Sequence, residues 1–455
     1  ENILEGEQNS DVYKKRFREY MEGAKKHGVY GSKPLSYYHG TNRFYDLWAS
    51  TAAKDKELFH EFCRFVIGNP LRQQPAAEQG YRTTGIQDLA LIYQGGSHRL
   101  DWTVDEFRPY VVHRFADGSK DWLFDGFLFL EFKDGSGRNY TVGYEKLNAR
   151  RTEWEWLLDR IFEQGKSLSA LDRCIGQEIK ELGKPAFRHQ IVLGLPEAIR
   201  GQKDWGKLDG REMDFSKEED QIAATKWYIG ELVERFKAAK YKHLELSGFY
   251  WVAEDTHHCA ELTIPLSEYI HSEGKLFYWI PYWQAKGHEE WKRLGFDVAY
   301  QQPNHFFNHS IPDSRLDEAC ATARRHGMAM EFEFDEKATA AIPNSSHDRM
   351  AAYINHFEKN DVFNSSAVAY YCGNRGVLTL NESDNPKDKA LMDRLARIIQ
   401  ARRYLKYGIP MKNKTRVVAH RGFWHTDGSA QNSIASLLKA DQLGVYGVEF
   451  DVWMA

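Results

Sequence analysis

The chain has 455 residues and a formal net charge of -4, so it carries no overall basic field, and neither nucleic acid nor an anionic membrane surface is an expected partner. No run of about 18 apolar residues marks a membrane span. Aromatic residues are abundant, with 13 Trp, 24 Tyr and 26 Phe, a supply that fills cores but also provides the flat faces with polar edges that sugar-binding clefts need.

Five cysteines, Cys63, Cys174, Cys259, Cys320 and Cys372, are scattered and form no C-x-x-C pair. They indicate neither a disulfide framework nor a zinc site and are expected to be buried thiols. The first residue is Glu rather than Met. A processed N-terminus is therefore expected, and with it an extracytoplasmic location, periplasmic or cell-surface.

The chain repeats itself. Arg16, Tyr20, Tyr37, Tyr38, Gly40, Ser50, Lys54, Asp55, Lys56 and Leu58 recur without a gap, 333 positions on, as Arg349, Tyr353, Tyr370, Tyr371, Gly373, Ser383, Lys387, Asp388, Lys389 and Leu391. An ungapped match of this kind indicates shared ancestry. The second copy closes a long α/β series, so residues 1–80 are expected to be the C-terminal tail of a preceding barrel of the same kind, and the chain is expected to begin inside a domain.

Eight strand-like runs follow: DLALIY (88–93), WLFDGFLFLEF (122–132), HQIVLGL (189–195), HLELSGFYWVAE (243–254), KLFYWIPYW (275–283), FDVAYQQ (296–302), GMAMEFEF (327–334) and AVAYYCG (367–373). Most are apolar on both faces, and amphipathic helical stretches such as EEDQIAATKWYIGELVERFKAAK lie between them. That pattern predicts an α/β fold of the closed (β/α)8 TIM-barrel type over residues 81–408. An open doubly wound sheet is the alternative, but no Gly-rich phosphate loop follows the first strand.

In such barrels chemistry gathers at the C-terminal strand ends. There the second strand offers Glu131, the fourth Glu254 and Asp255, and the seventh Glu331 and Glu333. Because strand side chains alternate, Glu331 and Glu333 share one face, and two carboxylates are costly against an apolar helix layer. They are expected to point into the barrel mouth. A carboxylate on strand four opposite one on strand seven suits glycosidase chemistry, in which one acid protonates the leaving oxygen and the other serves as nucleophile. Glu254 is the expected general acid/base and Glu331 or Glu333 the nucleophile. Trp251, Tyr282, Trp283, Gln302, Asn304 and Phe307, with Gln284 and His305 beside them, supply rings and amides suited to sugar hydroxyls. The plainer reading makes these acids partners of barrel Arg or Lys residues.

The segments GFYWVAED, FYWIPYWQAKGHEEWKRLGFDVAYQQPNHFF and MAMEFEFDE resemble strand-end signatures of the domain of unknown function 4855 family, barrel proteins common in gut Bacteroides and similar to glycoside hydrolases. The resemblance covers about residues 85–405, and 1–70 as a tail fragment. It implies a glycosidase-like barrel acting on carbohydrate, and no cofactor is expected for it.

Beyond a short polar link, residues 409–455 read as one strand–helix–strand unit. His420, Arg421 and Gly422 after the first strand, Gln431, Asn432 and Ser433 at the helix start, and Glu449 with Asp451 on the second strand resemble the opening of the glycerophosphodiester phosphodiesterase family. The resemblance implies that Glu449 and Asp451 hold Ca²⁺ or Mg²⁺, Arg421 grips phosphate and His420 acts as acid or base. Gln431 departs from the family's usual Glu. The plainer reading makes Glu449 and Asp451 a buried Glu/Asp pair salt-bridged to Arg421. The family's second His and further metal-binding acid do not occur, so no phosphodiester hydrolysis is expected of this chain, while a phosphodiester substrate is an alternative for a full-length protein. The overall reading is a slice of a multidomain hydrolase, with a non-catalytic carbohydrate-binding barrel as the other alternative.

Overall fold

The computed structural model describes residues 80–409, 417–424, 428–443 and 445–451. The repeat copy in residues 1–79 and Cys63 within it lie outside the described residues. Eight parallel strands close into a barrel in chain order: β1 (Asp88–Tyr93), β2 (Gly126–Leu130), β3 (His189–Leu195), β4 (Leu244–Trp251), β5 (Leu276–Trp279), β6 (Val298–Gln301), β7 (Ala329–Glu333) and β8 (Val368–Tyr371). Pairing of Asp88, Leu89 and Ala90 with Val368, Ala369 and Tyr370 completes the ring. Closure excludes the open sheet.

Alternation along the strands divides the core in two. Leu89, Leu91, Leu128, Val192, Tyr250, Tyr278, Val298, Tyr300 and Ala329 fill the interior. Ala90, Ile92, Phe127, Phe129, Ile191, Phe249, Trp251, Phe277, Met330 and Phe332 belong to a second cluster with the helices. Those helices are α1 (Val104–Val111), α2 (Arg151–Ile161), α3 (Ser167–Leu182), α4 (Glu218–Ala239), α5 (Ala260–Ser272), α6 (Ser314–His326), α7 (His347–Lys359), α8 (Val362–Ser365), α9 (Gly376–Glu382) and α10 (Pro386–Tyr407). Between β5 and β6 there is only a 3₁₀ turn, His288–Glu290. There Trp291 and Phe296 are buried, with Phe296 stacked on Trp279 at 4.9 Å. Cys174, Cys259, Cys320 and Cys372 are buried free thiols.

The N-terminal end of the ring is held by α10. Arg402, buried among apolar groups, donates to the carbonyls of Gln87 and Ser366 and stands 3.2 Å from the Asp88 carboxylate. Arg403 donates to the Leu123 carbonyl and pairs with Asp121, and Lys406 lies 3.6 Å from Asp125. Burial pushes the Asp88 carboxyl up to about 6, opposed chiefly by Arg402. One helix thus ties together the starts of β1, β2 and β8, the strands that meet where the ring closes.

The C-terminal segment forms its own two-stranded parallel sheet, β9 (Val418–His420) beside β10 (Gly447–Glu449), with α11 (Ile434–Gln442) between them in sequence. Among the described residues no helix is long and apolar enough to cross a membrane.

Removing one partner of a buried ion pair strands the other, at about 3–5 kcal/mol. Arg402→Ala is expected to lower stability by that order in urea unfolding. The double variant Asp88→Asn with Arg402→Met is expected to lose clearly less than the two single changes added together. Additive losses would show that the pair does not couple.

Candidate active site

A cleft of about 560 Å³ opens at the C-terminal ends of the strands. Glu254, Glu331 and Glu333 line it, with Gln302 and Asn304, and its walls include the rings of Tyr93, Phe132, Tyr144, Tyr250, Phe307 and Tyr371. The alternation that buries Ala329 inside the ring puts Glu331 and Glu333 on the same inner face. Tyr250 and Val252 are interior by the same rule, and Glu254 continues their register.

The three carboxyls differ in support. Glu331 is 2% exposed and accepts no hydrogen bond from a described residue. Burial, then the neighbouring Glu333 and Glu254, raise its carboxyl well above the ordinary range. Glu333 is equally buried, but one of its oxygens accepts from the Tyr353 hydroxyl on α7 and from the His305 backbone N–H. Burial lifts it to about 7, and these donors oppose the rise by favouring the ionised form. Glu254 accepts one bond, 2.8 Å from the Gln302 amide, and burial lifts it also to about 7.

Gln302 cannot turn freely. Its amide nitrogen also donates to the Ile280 carbonyl, while its oxygen accepts from Asn304 at 2.9 Å. Asn304 in turn accepts from the Trp283 N–H at 2.6 Å and holds a left-handed backbone, φ +49°, which asparagine tolerates better than most residues. The chain of amides therefore fixes a donor, not an acceptor, toward Glu254.

Glu131 fits the plainer reading. Its fully buried carboxylate takes two oxygens' worth of bonds from Arg99, at 2.9 Å each for the closest contacts, and the Gly96 N–H. A side chain at Gly96 would meet that carboxylate at 2.7 Å, so glycine is required for the approach. The Arg99 guanidinium sits 4.5 Å over the Tyr93 ring, making one wall of the cleft. His98, Arg99, Lys133 and Tyr144 are cleft residues that the sequence reading missed. They stand on the loops after β1 and β2, where no strand period governs side-chain direction. The GG in YQGGSHR was the available signal for a close approach.

One expected sugar platform is corrected, and two others are not among the residues lining the cleft. Trp251 has the opposite parity to Glu254 and packs at 1% exposure against Phe277 in the helix-facing layer, with no face open to a ligand. Tyr282 and Trp283 follow the end of β5 at Trp279, so alternation no longer directs them to the mouth. The Tyr282 hydroxyl donates to Asp255, and Arg315 covers the Trp283 ring at 4.7 Å. His305 is buried and pairs with Asp313 at 2.8 Å. Gln302, Asn304 and Phe307 do line the cleft.

In the C-terminal segment Arg421 lies 2.8 Å from Asp451, its backbone N–H donates to Glu449, and its side chain donates to Gln431. His420 stands 3.7 Å from Glu449. Of the two acids only Asp451 is salt-bridged to Arg421, and neither Glu449 nor Asp451 is buried.

Glu254 and Glu333, raised by burial, make the folded state bind more protons than the unfolded one between about pH 4.5 and 7, and Glu331, raised in the same direction, adds to the effect. Their effect on stability is absent below that window and is an increasing penalty as pH rises through it. Glu331→Gln is expected to stabilise the protein by roughly 1–3 kcal/mol at pH 8 and to do little at pH 4.5, read as the shift in thermal unfolding at the two pH values. An equal shift at both would contradict a carboxyl raised by burial at Glu331.

The family described as Domain of unknown function (DUF4855) matches residues 88–397. The match stops before the C-terminal segment, so the phosphodiesterase resemblance gains no support from it. No curated protein matches the chain. Among solved structures the chain is similar to a Bacteroides thetaiotaomicron VPI-5482 protein provisionally named an alpha-L-fucosidase, at 14% identity and a TM-score of 0.37, covering 71% of this chain and 94% of that one. It is also similar to the tryptophan synthase A-subunit of the hyperthermophile Pyrococcus furiosus, at 9% identity and a TM-score of 0.33, covering 70% of this chain and 98% of that one. Over most of its length, then, the chain is matched by one family, and it belongs to the DUF4855 family.

Proposed function

We propose that the barrel is a glycoside hydrolase that cleaves a polysaccharide outside the cytoplasm by two-carboxylate chemistry. The observation that carries this reading is the convergence of Glu254 from β4 with Glu331 and Glu333 from β7 in one aromatic-walled cleft. A glycosidic oxygen leaves as an alcohol only if it receives a proton as the bond breaks, and the oxocarbenium-like centre needs an anion close by. Glu254 and Glu333 are both lifted to about 7, but Glu254 accepts a single amide bond where Glu333 accepts two, so Glu254 is assigned the proton and the role of donor. Glu333 is the anion, because the Tyr353 hydroxyl and the His305 N–H both favour its ionised form. Glu331, with no donor among the described residues, keeps its proton and spares Glu333 a second adjacent charge. The rings of Tyr144 and Phe307 offer apolar faces to sugar C–H groups, and Asn304 offers amide atoms to hydroxyls.

Turnover on a panel of oligosaccharides and aryl glycosides tests the assignment. Glu254→Gln and Glu333→Gln are each expected to lower kcat on natural linkages by at least about 10²–10⁴-fold. With an activated aryl leaving group, which needs no proton, Glu254→Gln is expected to recover most of its activity and Glu333→Gln none. Binding by the wild type without any turnover would sink the enzyme reading and favour a carbohydrate-binding barrel. Tyr353→Phe removes a donor to ionised Glu333, so the acid limb of the pH–rate profile is expected to move to higher pH. An unmoved limb would remove Glu333 from the anionic role.

A further inference from the structure

Beyond Glu254 the chain continues Asp255-Thr256-His257-His258 into α5, and these residues bring together three ligand groups. One carboxylate oxygen of Asp255 and one ring nitrogen each of His257 and His258 all lie within 4.8 Å of one another. The groups are not loosely placed. Asp255 accepts from the His257 N–H at 2.6 Å, from the Tyr282 hydroxyl at 2.8 Å and from the Lys286 N–H at 2.9 Å. His258 Nε2 is 2.8 Å from Glu197, whose carboxylate is 1% exposed and whose other oxygen accepts from Thr141 and Val142. A buried carboxylate on one imidazole nitrogen keeps the proton there and leaves the lone pair on the other, the support that metal-binding histidines usually have.

We propose that Asp255, His257 and His258 bind a first-row divalent metal of the zinc type, oriented by Glu197 as a positioning residue. Two imidazoles and one carboxylate suit zinc and its neighbours, whereas Mg²⁺ and Ca²⁺ require mainly oxygen ligands. Ligands about 2.0–2.2 Å from zinc in a tetrahedron stand roughly 3.4 Å apart. His257 Nδ1 is 4.0 Å from the Asp255 carboxylate, and its side chain is 60% exposed, so a small rotation closes the set. The exposed side leaves the fourth position to water. All three ligands stand on the loop after β4, beginning one residue beyond Glu254, and Glu197 after β3 and Tyr282 after β5 brace them. This differs from the expectation that the barrel takes no cofactor.

Calorimetric titration of untagged, chelator-treated protein with Zn²⁺ tests the site. One Zn²⁺ is expected to bind with micromolar or tighter Kd. His257→Ala with His258→Ala, and separately Asp255→Asn, are expected to weaken that event at least 10-fold, and Glu197→Gln to weaken it 10–100-fold. Millimolar Mg²⁺ and Ca²⁺ are expected not to compete. Thermal unfolding in chelator shows whether each variant is folded, and His257→Ala alone, at an exposed position, gives a variant that leaves the core untouched. Wild type without a one-to-one event, or His257→Ala binding as tightly as wild type, overturns the proposal.

Discussion

A closed parallel sheet admits only two directions for a strand side chain, into the ring or out to the helices, and every other feature of the molecule follows from that restriction. The interior is filled below by Leu89, Leu128, Val192, Val298 and Ala329, so no solvent channel runs through it. At the upper edge the same inward register delivers Glu254, Glu331 and Glu333 to a confined space. Their crowding is unfavourable for stability, since burial and mutual repulsion both oppose ionisation. The ring accepts it because α10, through Arg402, Arg403 and Lys406, fixes the opposite end where β1 meets β8.

The strands were legible because they are apolar on both faces, and the three cleft acids because alternation leaves them one tolerable direction. The same parity would have excluded Trp251, which is three positions from Glu254 and must face the other way. Tyr282 and Trp283 lie past Trp279, where β5 ends, so the strand period does not fix their direction. Arg99 and Tyr144 were invisible because loop residues follow no period. Tyr144 reaches the cleft through bonds made by Asn139, which accepts from its N–H, and through stacking on Phe132 at 4.7 Å. The role of Glu131 could not be separated from that of the other acids without knowing where Arg99 falls.

The recurring positions acquire a physical meaning in the described copy. Arg349 donates to the carbonyls of His305 and Ile311, Tyr370 donates to Asp88, and Asp388 accepts from Thr339, Ser383 and the Ala340 N–H. Gly373, at φ +60°, lies where a side chain would meet Asp335 at 2.7 Å. These are holding positions, where a buried polar group must find one particular partner. Substitution at such places strands a donor or acceptor, which explains why they persist while the residues between them drift.

Tyr353 belongs to this set, yet it stands on an outer helix and touches a cleft carboxylate. The reactivity of the mouth is thereby partly written in the scaffold's second layer. Loss of that one hydroxyl on α7 would shift the protonation of Glu333 from behind while leaving the lining of the cleft untouched.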